Sequence, residues 1–455
     1  MNLLARLKCY LRFDSFDVKS QEGRAKERHR QILLTTLSSG AARILTVIIS
    51  FVMITLALKF LGAERFGLWV TISSAVAMLG FADLGVGSGL MNAVANAHGK
   101  DDIMDVKRKI ALGILLLSVI AIFILIVFFI VYPFVPWTQL LNVNSELAIK
   151  EVAPTIAVVV IFFALSIPAG IVIKVQMGLQ MGFAANLWLS AGSVLALVAA
   201  LGVIFLNGGL PYLVAATIAP PVIVSTLAGI YFFYIQKPFL RPRFRGLRVG
   251  DAKELAGTSG FFLVLQFSGL IAFQSDNLII AHYLGVDAVA KYAIAFKLFS
   301  LPLIILSLYL NAMWPAYAEA KSRGDMEWVY STFQKSIRLS AIIVLPLSFV
   351  LLVASTWIID VWVGSSFEPS WSLLIGLFFW SIMSVVGGNF AVLLNGLGVI
   401  RFQVITSVSM AIVNIILSVW LVQRIGVSGV IWGSVLTLLF IVYIPTAIYL
   451  RKYFK

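Results

Sequence analysis

The chain has 455 residues, 61% of them hydrophobic, and its mean hydropathy of +1.01 excludes an ordinary soluble domain, in which about half the residues are apolar. The formal net charge is +14, but the basic residues gather between apolar runs, which reads as membrane topology and argues against a nucleic-acid partner. A single cysteine, Cys9, excludes a disulfide framework, and the charged first stretch lacks the apolar core of a cleavable signal peptide.

In chain order, residues 1–32 read as a cytoplasmic N-terminal segment. Within it, Leu3, Leu4, Leu7 and Leu11 recur at helical spacing against Arg6, Lys8 and Arg12. That pattern fits a short helix lying in the interface, or equally a solvated tail. A helix needs roughly 20 apolar residues to cross a bilayer. On that measure twelve spans are expected, near 33–59, 67–95, 110–132, 152–174, 185–206, 211–235, 258–284, 288–317, 337–358, 371–395, 403–423 and 428–450. The first two form a hairpin through the short turn 61–67. Span three is almost purely aliphatic and aromatic, as a helix that faces lipid or packs peripherally would be. Pro168 and Pro220-Pro221 should bend spans four and six.

Residues 33–235 are therefore expected to form one six-helix bundle, 236–257 a basic cytoplasmic linker, 258–450 a second six-helix bundle and 451–455 a basic cytoplasmic tail. Only Arg65, Lys150 and Arg424 then fall in outer loops, and both termini are cytoplasmic. The segment 237–253 is the most basic of the chain and also suits contact with lipid headgroups. The halves repeat at a constant offset of 223 residues: Leu61-Gly62 matches Leu284-Gly285, and Trp69 matches Tyr292. Ala93, Ala95, Ala97 and Asp102 match Ala316, Ala318, Ala320 and Asp325. Six helices per half give both the same orientation, so the fold class is an all-α polytopic membrane protein with a pseudo-two-fold along the membrane normal.

No phosphate-binding loop, zinc-binding helix motif or paired-cysteine motif is present, and three scattered histidines do not build a metal cage. No metal and no cofactor are expected, and a transporter is favoured over an enzyme. The informative residues are charges at membrane depth, each costing on the order of 2.5–3.5 kcal/mol near the bilayer centre. Arg43 in span one and Lys297 in span eight would line a cationic cavity that neutralises an anionic, phosphate-bearing substrate, or else form internal ion pairs with Asp83 or Asp276. Asp276 would bind a coupling proton or Na⁺, or lock helices by a salt bridge. Asp83 is a second candidate for the coupling ion, although its glycine-rich surroundings also suit a cap on an interrupted helix. Lys59 and Lys291, near span ends, join the substrate set, with snorkelling to the interface as the competing explanation. Asn277 and Asn311 complete that set as amides suited to sugar hydroxyls. For Asn389, Asn414 and the other intramembrane amides, helix–helix hydrogen bonding is the default.

The stretches LGAERFGLW and FADLGVGSGLMNAVA resemble the N-terminal hairpin of bacterial polysaccharide and O-antigen flippases. SDNLIIAHYLGVDAVAKYAIAFKL resembles the seventh-to-eighth-helix hairpin of that family, part of the multidrug/oligosaccharidyl-lipid/polysaccharide exporter superfamily. The resemblance implies an inner-membrane flippase that moves an undecaprenyl-pyrophosphate-linked oligosaccharide to the periplasmic leaflet by alternating access. It also implies glycosyltransferases and a polysaccharide polymerase as partners. Ile49 and Ser50 stand where related lipid II flippases carry an Arg-Asp pair, which argues against export of a peptidoglycan precursor. The alternatives are a drug/cation antiporter of the same superfamily and a membrane-embedded glycan polymerase or ligase.

Overall fold

The computed structural model describes residues 20–78, 83–140, 146–244, 247, 249–284, 286–363 and 369–454. The expected helix at the N-terminal leucines, residues 1–13, lies outside them. The described chain is helical, with no strand among the described residues. It forms two compact units, Met1–Gly260 and Phe261–Lys455.

The first unit opens with α1 (Gln21–Met78). The expected turn at 61–67 is helical instead, because Leu61, Glu64 and Arg65 favour helix and the isolated Gly62 and Gly67 do not overcome them. A straight helix of these 58 residues would measure about 87 Å, against a hydrocarbon core of about 30 Å. One perpendicular crossing cannot contain it. There follow α2 (Val86–Gly99), α3 (Ile103–Val131), α4 (Glu146–Ala169), α5 (Ile171–Gly178), α6 (Gly182–Phe205) and α7 (Leu210–Tyr231). The next helix, α8 (Val249–Leu284), begins in the first unit and ends in the second. The second unit continues with α9 (Val286–Phe299), α10 (Leu301–Ser322), α11 (Met326–Val363), α12 (Trp371–Gly396), α13 (Ile400–Ile425), α14 (Ser428–Thr437) and α15 (Ile444–Tyr453). Among the described residues, 11 helical stretches are long and apolar enough to cross a membrane. The expected second span, 67–95, is divided between the end of α1 and α2.

Small residues let these helices approach closely. A Cβ added at Gly178 of α5 would stand 2.7 Å from the carbonyl oxygen of Met91 in α2, and one at Gly89 of α2 would stand 2.7 Å from Ser259 Oγ in α8. One core of the first unit joins Leu90 and Val94 of α2 to Ile110 of α3 and Val175 of α5. A second joins Met53 and Ala57 of α1 to Val152 of α4 and Leu213 of α7. In the second unit Tyr292 and Phe299 of α9 pack with Leu377 and Trp380 of α12 and Ile431 of α14. Along α3, Val119, Ile122, Phe123, Ile126 and Ile130 are exposed, matching the expected lipid-facing span.

The 223-residue offset is visible in the backbone. Between α2 and α3 the amide of Asp101 donates to His98, that of Asp102 to Ala97 and that of Val106 to Asp102. Between α10 and α11 the amide of Gly324 donates to Lys321, that of Asp325 to Ala320 and that of Val329 to Asp325. Asp102 accepts from the Asp105 amide at 2.9 Å and Asp325 from the Trp328 amide at 3.4 Å, so the same residue caps the following helix in both copies. Asp101 (φ 58°) and Gly324 (φ 75°) hold the same left-handed position. A second turn recurs at an offset of 218: the Met181 amide donates to Gln176 and the Val399 amide to Leu394.

Candidate functional site

Each unit contains an interrupted helix, and a charge stands at or beside each interruption. Interrupted helices are where many transporters build their substrate and ion sites.

In the first unit the interruption precedes α2. Leu84 (φ 50°) and Gly85 (φ 73°) both take left-handed backbone there, which breaks the helical backbone immediately ahead of α2. Asp83 accepts from the amide of Gly85 at 3.0 Å through Oδ1 and from that of Gly87 at 3.2 Å through Oδ2. Both oxygens of this half-buried carboxylate thus serve the first turn of α2, where a negative charge is favoured by the helix dipole. The Lys174 stem lies beside it: a Cβ on Gly87 would meet Asp83 Oδ2 at 2.7 Å and Lys174 Cε at 3.1 Å.

Arg43 projects from α1 and is exposed, with no hydrogen bond or ion pair among the described residues. Lys59, farther along α1, is exposed as well. Near Arg43 the helix is tied to α6 by Asn186, whose Nδ2 donates to Ser38 Oγ at 2.9 Å and Ser39 Oγ at 2.7 Å. Arg65 is different. Instead of lying in an outer loop it sits in α1, donating from Nε to Glu151 Oε2 at 2.6 Å and from Nη2 to Oε1 at 2.7 Å. Glu151 Oε1 also accepts from the Leu210 amide at 3.1 Å, so one carboxylate joins α1, α4 and the start of α7.

In the second unit the interruption lies between α9 and α10, where Pro302 has no amide to donate. Ser300 Oγ donates to the Lys297 carbonyl at 2.7 Å, satisfying an oxygen at the break. The Lys297 side chain is exposed and, like Arg43, has no partner among the described residues.

Asp276 of α8 is 1% exposed. Its Oδ2 accepts from the Tyr292 hydroxyl at 2.7 Å, and its Oδ1, also buried, has no partner among the described residues. Tyr292 stacks on Phe296 at 5.6 Å, and Phe296 packs at 4.5 Å against Trp380 of α12. A buried carboxylate with one tyrosine and one open oxygen can take up a proton or a small cation. The residue 223 positions earlier is Met53, buried in the apolar core of the first unit, so this acid has no counterpart there.

Asn277 is half-buried, and its Oδ1 has no partner among the described residues. Asn311 is exposed on α10. The Lys291 side chain lies outside the described residues. Two other amides serve packing: Asn389 accepts from Ser336 at 2.5 Å and donates to Ser340 at 2.9 Å, while Asn414 donates to Ser434 at 2.8 Å. The sequence alone did not single out the Tyr292–Asp276 bond or the Arg65–Glu151 fork. An acid at the head of span four and a tyrosine on the partner helix were the available signals.

Residues 32–321 match the family model described as polysaccharide biosynthesis protein. The chain belongs to this family. Residues 252–420 also match the MatE model. Among curated relatives, a protein of Yersinia pseudotuberculosis described as an O-antigen export protein is 24% identical over 388 residues, covering 81% of this chain and 84% of the relative. One of Salmonella typhimurium described as an O-antigen transporter is 22% identical over 412 residues, covering 89% of this chain and 93% of the relative. Among solved structures, an outward-facing multidrug-resistance MATE transporter of the MOP superfamily aligns with a TM-score of 0.77 at 16% identity, over 94% of this chain and 96% of that one. A MOP superfamily transporter of Pyrococcus furiosus aligns with a TM-score of 0.75 at 14% identity, over the same shares. These neighbours establish the fold of this polysaccharide biosynthesis family member as that of the MATE transporters.

Proposed function

We propose that the protein is a flippase for a lipid-linked oligosaccharide, a repeat unit of O-antigen or another surface polysaccharide. The observation that carries this reading is a pair of exposed cations, Arg43 and Lys297, set in apolar helices without an acid partner among the described residues. A cation held there at a cost of on the order of 2.5–3.5 kcal/mol suits a substrate that brings its own negative charge. The O-antigen functions given to the curated relatives support the same substrate class.

In this reading the glycan enters from the cytoplasmic leaflet of a bacterial inner membrane, linked through pyrophosphate to undecaprenol, and both termini of the protein are cytoplasmic. Arg43 offers a guanidinium fork to the pyrophosphate, and Lys297 adds a point charge. Lys59 and Lys291 extend the basic path, and Asn277 and Asn311 offer amides to the sugar. Alternating access releases the glycan to the periplasmic side, with glycosyltransferases supplying it and a polymerase consuming it. The return is driven by a proton or Na⁺ at Asp276. Asp83, engaged by the backbone of α2, is the weaker coupling candidate. A drug/cation antiporter is the second reading, favoured by the MatE match and by the buried acid of α8. It does not account for the two exposed cations.

The test is complementation of a bacterium lacking its surface-glycan flippase, comparing the unmodified protein with Arg43→Ala and Lys297→Ala at matched membrane levels. Losing a charge-assisted contact predicts a drop in surface glycan on the order of tenfold or more for each variant. Full export by both variants would refute the cationic reading.

A further inference from the structure

The first unit has an apolar groove of about 820 Å³ that the proposed transport site does not use. Its volume lies within the range of roughly 300–1,000 Å³ typical of small-molecule sites. It is lined by Ile114 of α3, Phe162 and Pro168 of α4, Val172 of α5, and Ile223 and Leu227 of α7. Its hydroxyls are those of Ser225, Thr226 and Tyr234, and Thr226 donates to the Val222 carbonyl at 2.8 Å. A glycan would find almost no polar partner along these walls. A hydrocarbon chain needs none.

Arg241, Pro242 and Phe244, at the start of the basic segment, also line it. Arg241 is held rather than free-swinging. Its Nε donates to the Phe233 carbonyl at 3.2 Å, and its guanidinium lies 4.6 Å from the centre of the Tyr234 ring. The two terminal nitrogens have no partner among the described residues, which leaves the part of the fork that grips a phosphate available. Lys237 and Arg243 stand close by in sequence and add positive charge.

We propose that this groove binds one anionic phospholipid of the surrounding bilayer, its acyl chain along α4 and α7 and its phosphate on Arg241. A bilayer lipid is favoured over the substrate's own carrier lipid for two reasons. Leu165, Ile223, Leu227 and Ile230 leave the groove open along its length to the exposed surface of the unit. None of its lining residues belongs to the interrupted helices α2, α9 and α10 or bears a candidate substrate cation. Because Pro168 and Ala169 end α4 at the joint with α5, a bound chain would also brace that joint.

The experiment is native mass spectrometry of the full chain after delipidation and addition of phosphatidylglycerol, phosphatidylcholine or undecaprenyl phosphate, for the unmodified protein, Arg241→Ala, Arg241→Lys and Gly229→Leu. Gly229 lines the groove, and a Cβ there meets only Val172 at 3.8 Å, so leucine fills the space without a backbone clash. The unmodified protein should retain one phosphatidylglycerol in preference to phosphatidylcholine. Arg241→Ala should weaken that retention about fivefold, the effect of one basic residue at an anionic surface. Arg241→Lys should restore part of it, and Gly229→Leu should weaken retention while leaving the unfolding temperature within a few degrees. Equal retention of both phospholipids, or no effect of Arg241→Ala, overturns the proposal. Displacement of phosphatidylglycerol by undecaprenyl phosphate overturns it in favour of the carrier lipid.

Discussion

Replacing Glu151 by alanine should destabilise the N-terminal unit by about 2–3 kcal/mol, more than most single changes. Three donors converge on that carboxylate: Arg65 Nε, Arg65 Nη2 and the Leu210 amide. Hydrogen bonds to charged groups contribute about 1.5–3 kcal/mol each, and breaking a fully buried ion pair costs about 3–5 kcal/mol. The Arg65 and Glu151 side chains are 18% and 14% exposed, so water recovers part of the loss and the lower figure applies. The assay is equilibrium unfolding in mixed micelles of the unmodified protein, Arg65→Ala, Glu151→Ala and the double variant. Interhelical hydrogen bonds in membrane proteins couple by about 0.6 kcal/mol on average, whereas a charged fork should couple by about 1.5 kcal/mol or more. Gly209→Ala gives an independent check, because its Cβ would collide with Glu151 Oε1 and push the carboxylate out of the fork. Strictly additive single changes, or a silent Gly209→Ala, would show that the fork joins nothing.

Three further outcomes follow from the geometry. Asp83→Ala should cost about 1 kcal/mol and speed hydrogen exchange at Gly85 and Gly87, because it removes a cap from α2; unchanged exchange would contradict the cap. Asn389→Leu should lower stability by about 0.6–1.7 kcal/mol, since it breaks the bonds to Ser336 and Ser340, while glycan export at matched membrane levels persists. Asp276→Asn should remove the dependence of flipping in liposomes on a proton or Na⁺ gradient. If the unmodified protein flips equally fast with and without gradients, Asp276 is a structural residue.

Much of the architecture was legible because membrane helices satisfy their own backbone, so hydropathy, proline and charge placement define them locally. The aliphatic run of span three announced its exposed face. The glycine-rich setting of Asp83 suggested a cap, and Asp102 and Asp325 marked the repeated turn. Other features escaped because their causes are distant. Glu151 is 86 residues from Arg65 in sequence, so nothing near Arg65 revealed why it belongs in a helix rather than in an outer loop. The glycines at 62 and 67 signalled a turn, but the surrounding helix formers prevailed. Asp276 stands out in the sequence as a deep acid, whereas the tyrosine that meets it lies on another helix, where the sequence marks it only as the counterpart of Trp69. Asn389 and Asn414 make the interhelical hydrogen bonds expected of intramembrane amides, although their hydroxyl partners on other helices are not marked by the local sequence.

The paired turns at 98–106 and 321–329 act as elbows that set the rotational phase of the helix after them. Successive residues of an α-helix are turned by about 100°, so losing a single residue from either elbow would swing the whole following helix by that angle. In α3 this would bring the lipid-facing stripe of Phe123 and Ile126 round toward Leu90 and carry Ile110 and Leu117 outward. Side chains in these two elbows have drifted as far apart as aspartate and glycine at the left-handed position, but their length has not. The property held in common is therefore a count of residues, and insertions or deletions should be tolerated far less there than substitutions.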